Sequence, residues 1–279
     1  MAGLLSGLAG LGLDNLADMD LYEKPQTETA EAKSVVVKVE EKDFIYDKTF
    51  ICPVCDNGFT AKIMKSGKAK LIGTDDDMRP KYEGIDAVKY DVQLCPQCGY
   101  AGLTRFFPHI TGGQAKLIRE NISKKVRLHP YEGEIYTYEE ALERYQLALA
   151  NAVVKRSRAS EKAYICLKSA WLLRGQAEEL LEKDDNTQDA DALKEREEEY
   201  LLNAYNGFVE ARQAEPFPMC GMDEITVDYL LAQLAAHFKK YDVASKLVAS
   251  ILTSPSANTR MKEKIRMLKD QILADLKNK

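Results

Sequence analysis

Two Cys-Pro-x-Cys pairs are the residues of this sequence best suited to chemistry. The first pair is Cys52 and Cys55, and the second is Cys95 and Cys98. Cysteines at this spacing close a tight turn that directs two thiolates at one point, so two such turns supply the four ligands of a tetrahedral metal site. The pattern predicts one structural Zn²⁺ held by these four residues, with iron as the less favoured metal.

Redox-active dithiols and structural disulfides are two other interpretations of the same pairs. The Leu- and Gly-rich first 13 residues lack the basic segment of a secretory signal, because the first lysine is Lys24. We therefore favour a reducing, cytoplasmic location and a metal site. Of the remaining cysteines, Cys166 is predicted to be a small buried hydrophobe, and Cys220 a free thiol of no special role.

The turns that carry the cysteines need residues with a permissive backbone. Gly99 follows the second pair, where a left-handed conformation is often required, and Asn57-Gly58 offers the same freedom after the first pair. The stretch between the pairs is longer than in a simple zinc ribbon, so a small sheet or an inserted loop is expected there.

Short strands rich in β-branched and aromatic residues are predicted around both cysteine pairs. A hairpin turned by Ser66-Gly67 is expected to join the third and fourth of them. The predicted strands cover residues 35–39, 44–51, 59–64, 69–72 and 89–94.

The sequence becomes helical in pattern from about Gln114 onward. Thr137 and Glu140 form a capping box that opens the first long helix. Trp171 lies on an apolar stripe and is predicted to be buried between helices. The predicted long helices begin at residue 138 and continue over residues 159–182, 190–214, 226–239, 242–252 and 258–277.

A weak internal repeat indicates how these helices stack. Residues 164–174 can be laid over residues 229–239, so that tyrosine, alanine, bulky apolar and basic positions recur together nearly two tetratricopeptide lengths apart. We predict an α+β protein in which a small β-rich four-Cys ribbon precedes an all-α, tetratricopeptide-like domain. The predicted parts are a flexible tail and linker at residues 1–34, the zinc-ribbon or rubredoxin-like domain at 35–110, and the helical domain at 111–279.

Three adjacent carboxylates, Asp75, Asp76 and Asp77, are followed closely by Arg79. They could hold a divalent cation, but no ligands stand at alternate or facing positions. We favour a loop in which the aspartates cap turns and Arg79 forms an internal ion pair.

Six segments together resemble the bacterial domain of unknown function 2225 family. The resemblance covers residue 46 to about residue 252 and implies a cytoplasmic bacterial protein with a four-Cys site and tetratricopeptide-like helices. It implies no chemistry, because the family has no established activity. The segments are YDKTFxCPVC at 46–55, DxDxRPxY at 75–82, YxVxLCPxCGYA at 90–101, YxxAL at 145–149, AWLxR at 170–174 and GMDExTxxYL at 221–230.

The remaining features favour a binding protein over an enzyme. No glycine-rich phosphate loop or nucleophile–histidine motif is present, and His109, His129 and His237 are scattered. Four cysteines fill a tetrahedral zinc site and leave no position for a reactive water. No apolar run is long enough to cross a membrane.

We therefore predict a scaffold or adaptor that binds a protein or peptide through its helices. The predicted contact residues are Tyr164, Arg174, Tyr229 and Lys239. The first alternative is a nucleic-acid- or ribosome-associated ribbon, supported by a lysine-rich hairpin at residues 62–70 but opposed by the formal net charge of -5. A rubredoxin-like iron electron carrier is the second alternative.

Overall fold

The computed structural model describes residues 39–129, 131–184 and 187–277. Three antiparallel sheets of two strands each come first, followed by seven α-helices in the described part of the chain. The strands are β1 (Ile45–Ile51), β2 (Gly58–Met64), β3 (Leu71–Thr74), β4 (Pro80–Tyr82), β5 (Val92–Leu94) and β6 (Ala101–Leu103). The helices are α1 (Gly112–Ile118), α2 (Tyr138–Val154), α3 (Ala159–Asp184), α4 (Thr187–Ala214), α5 (Glu224–His237), α6 (Tyr241–Thr253) and α7 (Thr259–Lys277).

The pairing of the strands differs from the predicted hairpin at Ser66-Gly67. Strand β2 pairs with β1 across the first cysteine turn, in a register that places Phe50 opposite Phe59 with their rings stacked 5.8 Å apart. Strand β3 pairs instead with β4. The prediction was wrong because β2 satisfies its backbone and its aromatic contacts with β1. The predicted strand at 35–39 and the N-terminal tail lie outside the described residues, except for Val39, which is not in a strand.

Strands β5 and β6 flank the second cysteine turn and connect it to the helices. Helix α2 packs against both strands. Val92, Ala101 and Leu103 are buried in the same hydrophobic core as Trp171 and the other apolar side chains of the helices. The described residues from Val39 onward therefore form one compact unit, and the cysteine-bearing part shares its core with the helical part. The proposed boundary near residue 110 remains a prediction.

The helices begin and end close to the predicted residues because their signals are local. The Thr137 hydroxyl accepts a hydrogen bond from the backbone N–H of Glu140 and caps α2, and Asp223 caps α5 through Thr226 in the same way. Trp171 is buried, as predicted. Successive helices from α2 to α7 pack on their neighbours in sequence. Within the described ranges, no helix has the length and hydropathy needed to cross a membrane.

Candidate metal centre

The four predicted cysteines lie together at one point between β1–β2 and β5–β6. The sulfur atoms of Cys52, Cys55, Cys95 and Cys98 are all within 4.8 Å of one another. Cys52 and Cys98 have their sulfurs 3.5 Å apart, and Cys55 and Cys95 have theirs 3.6 Å apart. Four sulfurs arranged tetrahedrally around Zn²⁺ at about 2.3 Å would be about 3.8 Å apart. The donor set therefore fits a closed metal site.

Each cysteine pair is held by the same backbone turn. The N–H of Asp56 donates to the Cys52 carbonyl at 2.9 Å, and the N–H of Gly99 donates to the Cys95 carbonyl at 3.0 Å. Both donors have left-handed backbone conformations, with φ of 59° at Asp56 and 71° at Gly99. Gly99 has its predicted conformation. In the first turn, however, the left-handed residue is Asp56, whereas we predicted this conformation at Asn57-Gly58. Asp56 directly follows Cys55, just as Gly99 directly follows Cys98.

Polar groups donate hydrogen bonds to two of the sulfurs. The backbone N–H of Val54 donates to Cys52 Sγ, and Asn57 Nδ2 donates to Cys55 Sγ, each at 3.4 Å. Contact with Cys95 raises the pKa of the Cys52 thiol, and the same contact lowers the pKa of the Cys95 thiol. Four thiolates this close repel one another, so a bound cation would supply the balancing positive charge.

Aromatic and aliphatic side chains enclose the cluster. Cys52, Cys95 and Cys98 are buried, together with Tyr100 and Phe107. The Tyr100 hydroxyl donates to the Phe107 carbonyl at 2.9 Å, so its polar end is satisfied inside the core.

The cluster contains no histidine, and both His109 and His129 are exposed. Among the residues that the structure describes, these four cysteines are the only group of three or more potential ligands close enough to share an ion. The other two cysteines, Cys166 and Cys220, are buried free thiols, and Cys220 Sγ donates to the Ser160 carbonyl at 3.2 Å.

The acidic loop between β3 and β4 attaches the β-rich part to the helices. Asp77 is buried; its carboxylate accepts a hydrogen bond from Trp171 Nε1 at 3.0 Å and another from Arg174 Nη2 at 2.7 Å. Arg174 also pairs with Glu197 of α4 at 2.7 Å. Burial alone would raise the pKa of Asp75, but hydrogen bonds from Lys81 and Arg174 lower it overall. The loop thus links β3–β4 to α3 and α4.

The predicted internal pairing of Arg79 is confirmed. This buried guanidinium lies 2.9 Å from Glu178 and 3.6 Å from both Asp75 and Asp86. The attachment through Asp77, Trp171 and Arg174 was not predicted. The sequence feature that could have indicated this attachment is the spacing of Trp171 and Arg174, which places both side chains on one face of α3.

Two of the four predicted partner-binding residues line one cleft. Arg174 and Lys239 are on the walls of a cleft of about 710 Å³, which also includes Asp76 and Asp275. Tyr229 is buried, and its hydroxyl accepts a hydrogen bond from Gln233 of the cleft wall at 2.9 Å. Tyr164 does not line the cleft; its ring lies edge-on to Trp171 at 6.5 Å. Arg174 therefore holds the acidic loop as well as lining the cleft, and partner binding by these four residues stays a prediction.

Comparisons with known proteins give one match. No curated protein and no solved structure matches the chain. A family model described as "Uncharacterized protein conserved in bacteria (DUF2225)" matches residues 45–272, from the first residue of β1 to a buried isoleucine of α7. Because this match covers most of the sequence, the chain belongs to that family of uncharacterised bacterial proteins.

Proposed function

We propose that this protein is a non-enzymatic, cytoplasmic scaffold or adaptor that one structural Zn²⁺ stabilises and that binds a protein or peptide through its helices. Cys52, Cys55, Cys95 and Cys98 are the proposed ligands. The observation that carries the proposal is the closed cluster of four sulfurs, three of them in buried cysteines. A site filled by four thiolates supports folding and offers no open position for substrate.

The second part of the proposal is that the cleft between the acidic loop and helices α3 to α7 receives the partner. Packing of successive helices on one another supports a degenerate tetratricopeptide-like arrangement, which creates concave surfaces of this kind. Both signs of charge are available at the walls. Asp76 and Lys239 line the cleft and have no ion-pair partner among the described residues. An extended peptide with charged side chains could pair with both.

A double charge reversal tests the cleft. Asp76→Lys combined with Lys239→Glu leaves the net charge unchanged but reverses the charge pattern of the walls. We expect this variant to fold normally and to lose, by at least about tenfold, the partners that the wild-type protein captures by crosslinking in an extract of its source cells. Arg174 is unsuitable for this test because its substitution would also release Asp77.

The matched control is Glu263→Lys combined with Lys269→Glu. Both residues are outside the cleft on α7, and the pair also leaves the net charge unchanged. The control should keep the captured partners. Capture at the wild-type level by the Asp76 and Lys239 variant would refute the cleft as the docking site, while leaving the metal site unaffected.

A further inference from the structure

A basic segment covers the four-cysteine cluster. We call residues 116–127 the basic strap; they include the end of α1 and the π-helical turn Arg119–Ser123. The strap contains five basic residues and a single acidic residue, Glu120. The basic residues are Lys116, Arg119, Lys124, Lys125 and Arg127.

The inner face of the strap is apolar and lies on the cysteine turns. Ile118 is fully buried in the hydrophobic cluster that contains Cys52, Cys95 and Cys98, and Ile122 packs against the same cluster. The side chain of Val126 lies so close to Gly99 that a Cβ at that glycine would be 2.6 Å from a Val126 methyl group. Arg119 Nη1 donates to the Val54 carbonyl of the first turn at 2.6 Å. The strap is therefore positioned by both turns.

The outer face of the strap carries charge that nothing in the described chain neutralises. Lys124, Lys125 and Arg127 are exposed, and none has an ion pair or a side-chain hydrogen bond among the described residues. Lys116 makes only a long contact with Glu120, at 3.9 Å. Three unpaired cations within four residues repel one another, so an anionic partner would stabilise this surface.

The lysine-rich segment at residues 62–70, between β1–β2 and β3–β4, is different. Lys62 pairs with Asp47 at 3.1 Å, and the ammonium groups of Lys65 and Lys68 both donate to the Asp43 carbonyl, at 3.0 and 2.7 Å. These three lysines serve the local fold, so the sequence-based argument for an anion-binding surface there is weakened. Only Lys70 of this segment is exposed without an ion pair or a side-chain hydrogen bond in the described part of the chain, whereas the strap has three such cations close together.

A turn next to the start of α1 carries two further exposed arginines. Gln114, at the start of α1, donates through Nε2 to the Lys155 carbonyl at 3.2 Å, which brings the α2–α3 turn next to α1. That turn contributes Arg156 and Arg158, both exposed and without an ion pair in the described part of the chain. Lys155 itself is buried and paired with Glu161 at 2.8 Å.

We propose that the basic strap binds the phosphate backbone of nucleic acid. Phosphate contacts by lysine and arginine need no preformed pocket and supply most of non-specific affinity. An anionic membrane fits less well, because stable binding of a protein segment at a membrane surface combines electrostatic attraction with apolar side chains that enter the lipid. None of the large hydrophobic residues that are exposed in the described chain lies in the strap. This inference concerns a different surface from the proposed cleft.

The test is binding of a fluorescent 20-nucleotide oligouridine, followed by anisotropy at several salt concentrations. The wild-type protein should bind, with an affinity that falls steeply as salt rises. Changing Lys124, Lys125 and Arg127 together to glutamine should weaken binding about tenfold or more at low salt. The slope of log K against log salt should become shallower by about 2, because each lost phosphate contact contributes about 0.7.

The matched control changes Lys246, Arg266 and Lys269 to glutamine. These residues are also two lysines and one arginine, and they are exposed on α6 and α7. The control should bind oligouridine like the wild type. The wild type, the strap variant and the control should all contain the same amount of metal. Equal weakening by both variants would show a general charge effect and overturn the proposal. Loss of metal from the strap variant alone, no binding by the wild type, or preferential binding to phosphatidylserine vesicles would also overturn it.

Discussion

Replacing Cys95 by serine is expected to abolish stoichiometric metal binding and to unfold the cysteine-bearing part of the protein. In zinc-finger peptides the bound metal contributes about 10 to 16 kcal/mol, as much as the entire stability of a typical domain. Each strand beside the cysteine turns pairs with only one other strand, and β1 and β2 contribute no side chain to the core of the helices, so the metal is the main support of this part. Hydrogen exchange should become fast between β1 and the basic strap.

Helices α3 to α7 should survive this substitution, since their core is built mostly from their own side chains. Helix α2 should be partly affected, because it packs on β5 and β6. Cys220→Ser is the control: a serine hydroxyl can still donate to the Ser160 carbonyl, and Cys220 is not part of the cluster. Loss of most of the helical circular dichroism in Cys95→Ser would contradict this division.

Replacing Trp171 by alanine is expected to lower the free energy of unfolding by about 3 to 5 kcal/mol. The substitution leaves a cavity between α3 and its neighbours and removes a hydrogen bond to the buried Asp77 carboxylate. Denaturant unfolding measures the change. In the wild type, fluorescence from this sole tryptophan should be blue-shifted and poorly quenched, because the ring is buried.

Trp171→Phe separates packing from hydrogen bonding at this position. Phenylalanine keeps most of the apolar contact but cannot donate to Asp77, which still has Arg174 as a partner. The expected cost is about 1.5 to 3 kcal/mol, the usual range for a hydrogen bond to a charged group. A wild-type stability for the alanine variant, or easily quenched fluorescence, would show that the side chain is on an exposed surface.

The features that the sequence predicts well depend on neighbouring residues. The cysteine turns follow from a spacing of three residues and a left-handed position, and the helix ends follow from caps such as Thr137 and Asp223. The burial of Trp171 follows from a helical stripe. Each of these signals lies within a few residues of the feature it specifies.

The features that the sequence predicts poorly depend on contacts between separate elements. Strands β1 and β3 both lie close to β2 in sequence, and the stacking of Phe50 on Phe59 across the first cysteine turn favours β1. Arg174 and Asp77 are far apart in sequence, so a basic residue on a helix could not be distinguished from a surface anchor. The free and occupied lysines were likewise indistinguishable by composition, because only their contacts separate Lys124 from Lys65.

Zinc-edge X-ray absorption of the purified protein, together with metal analysis, tests the central claim most directly. We predict one zinc ion per chain, surrounded by four sulfur atoms at about 2.3 Å. The visible spectrum of protein purified without oxygen should lack an iron–thiolate band. Nitrogen or oxygen ligands in the first coordination shell, stoichiometric iron, or a folded protein that holds no metal would contradict the proposed structural zinc site.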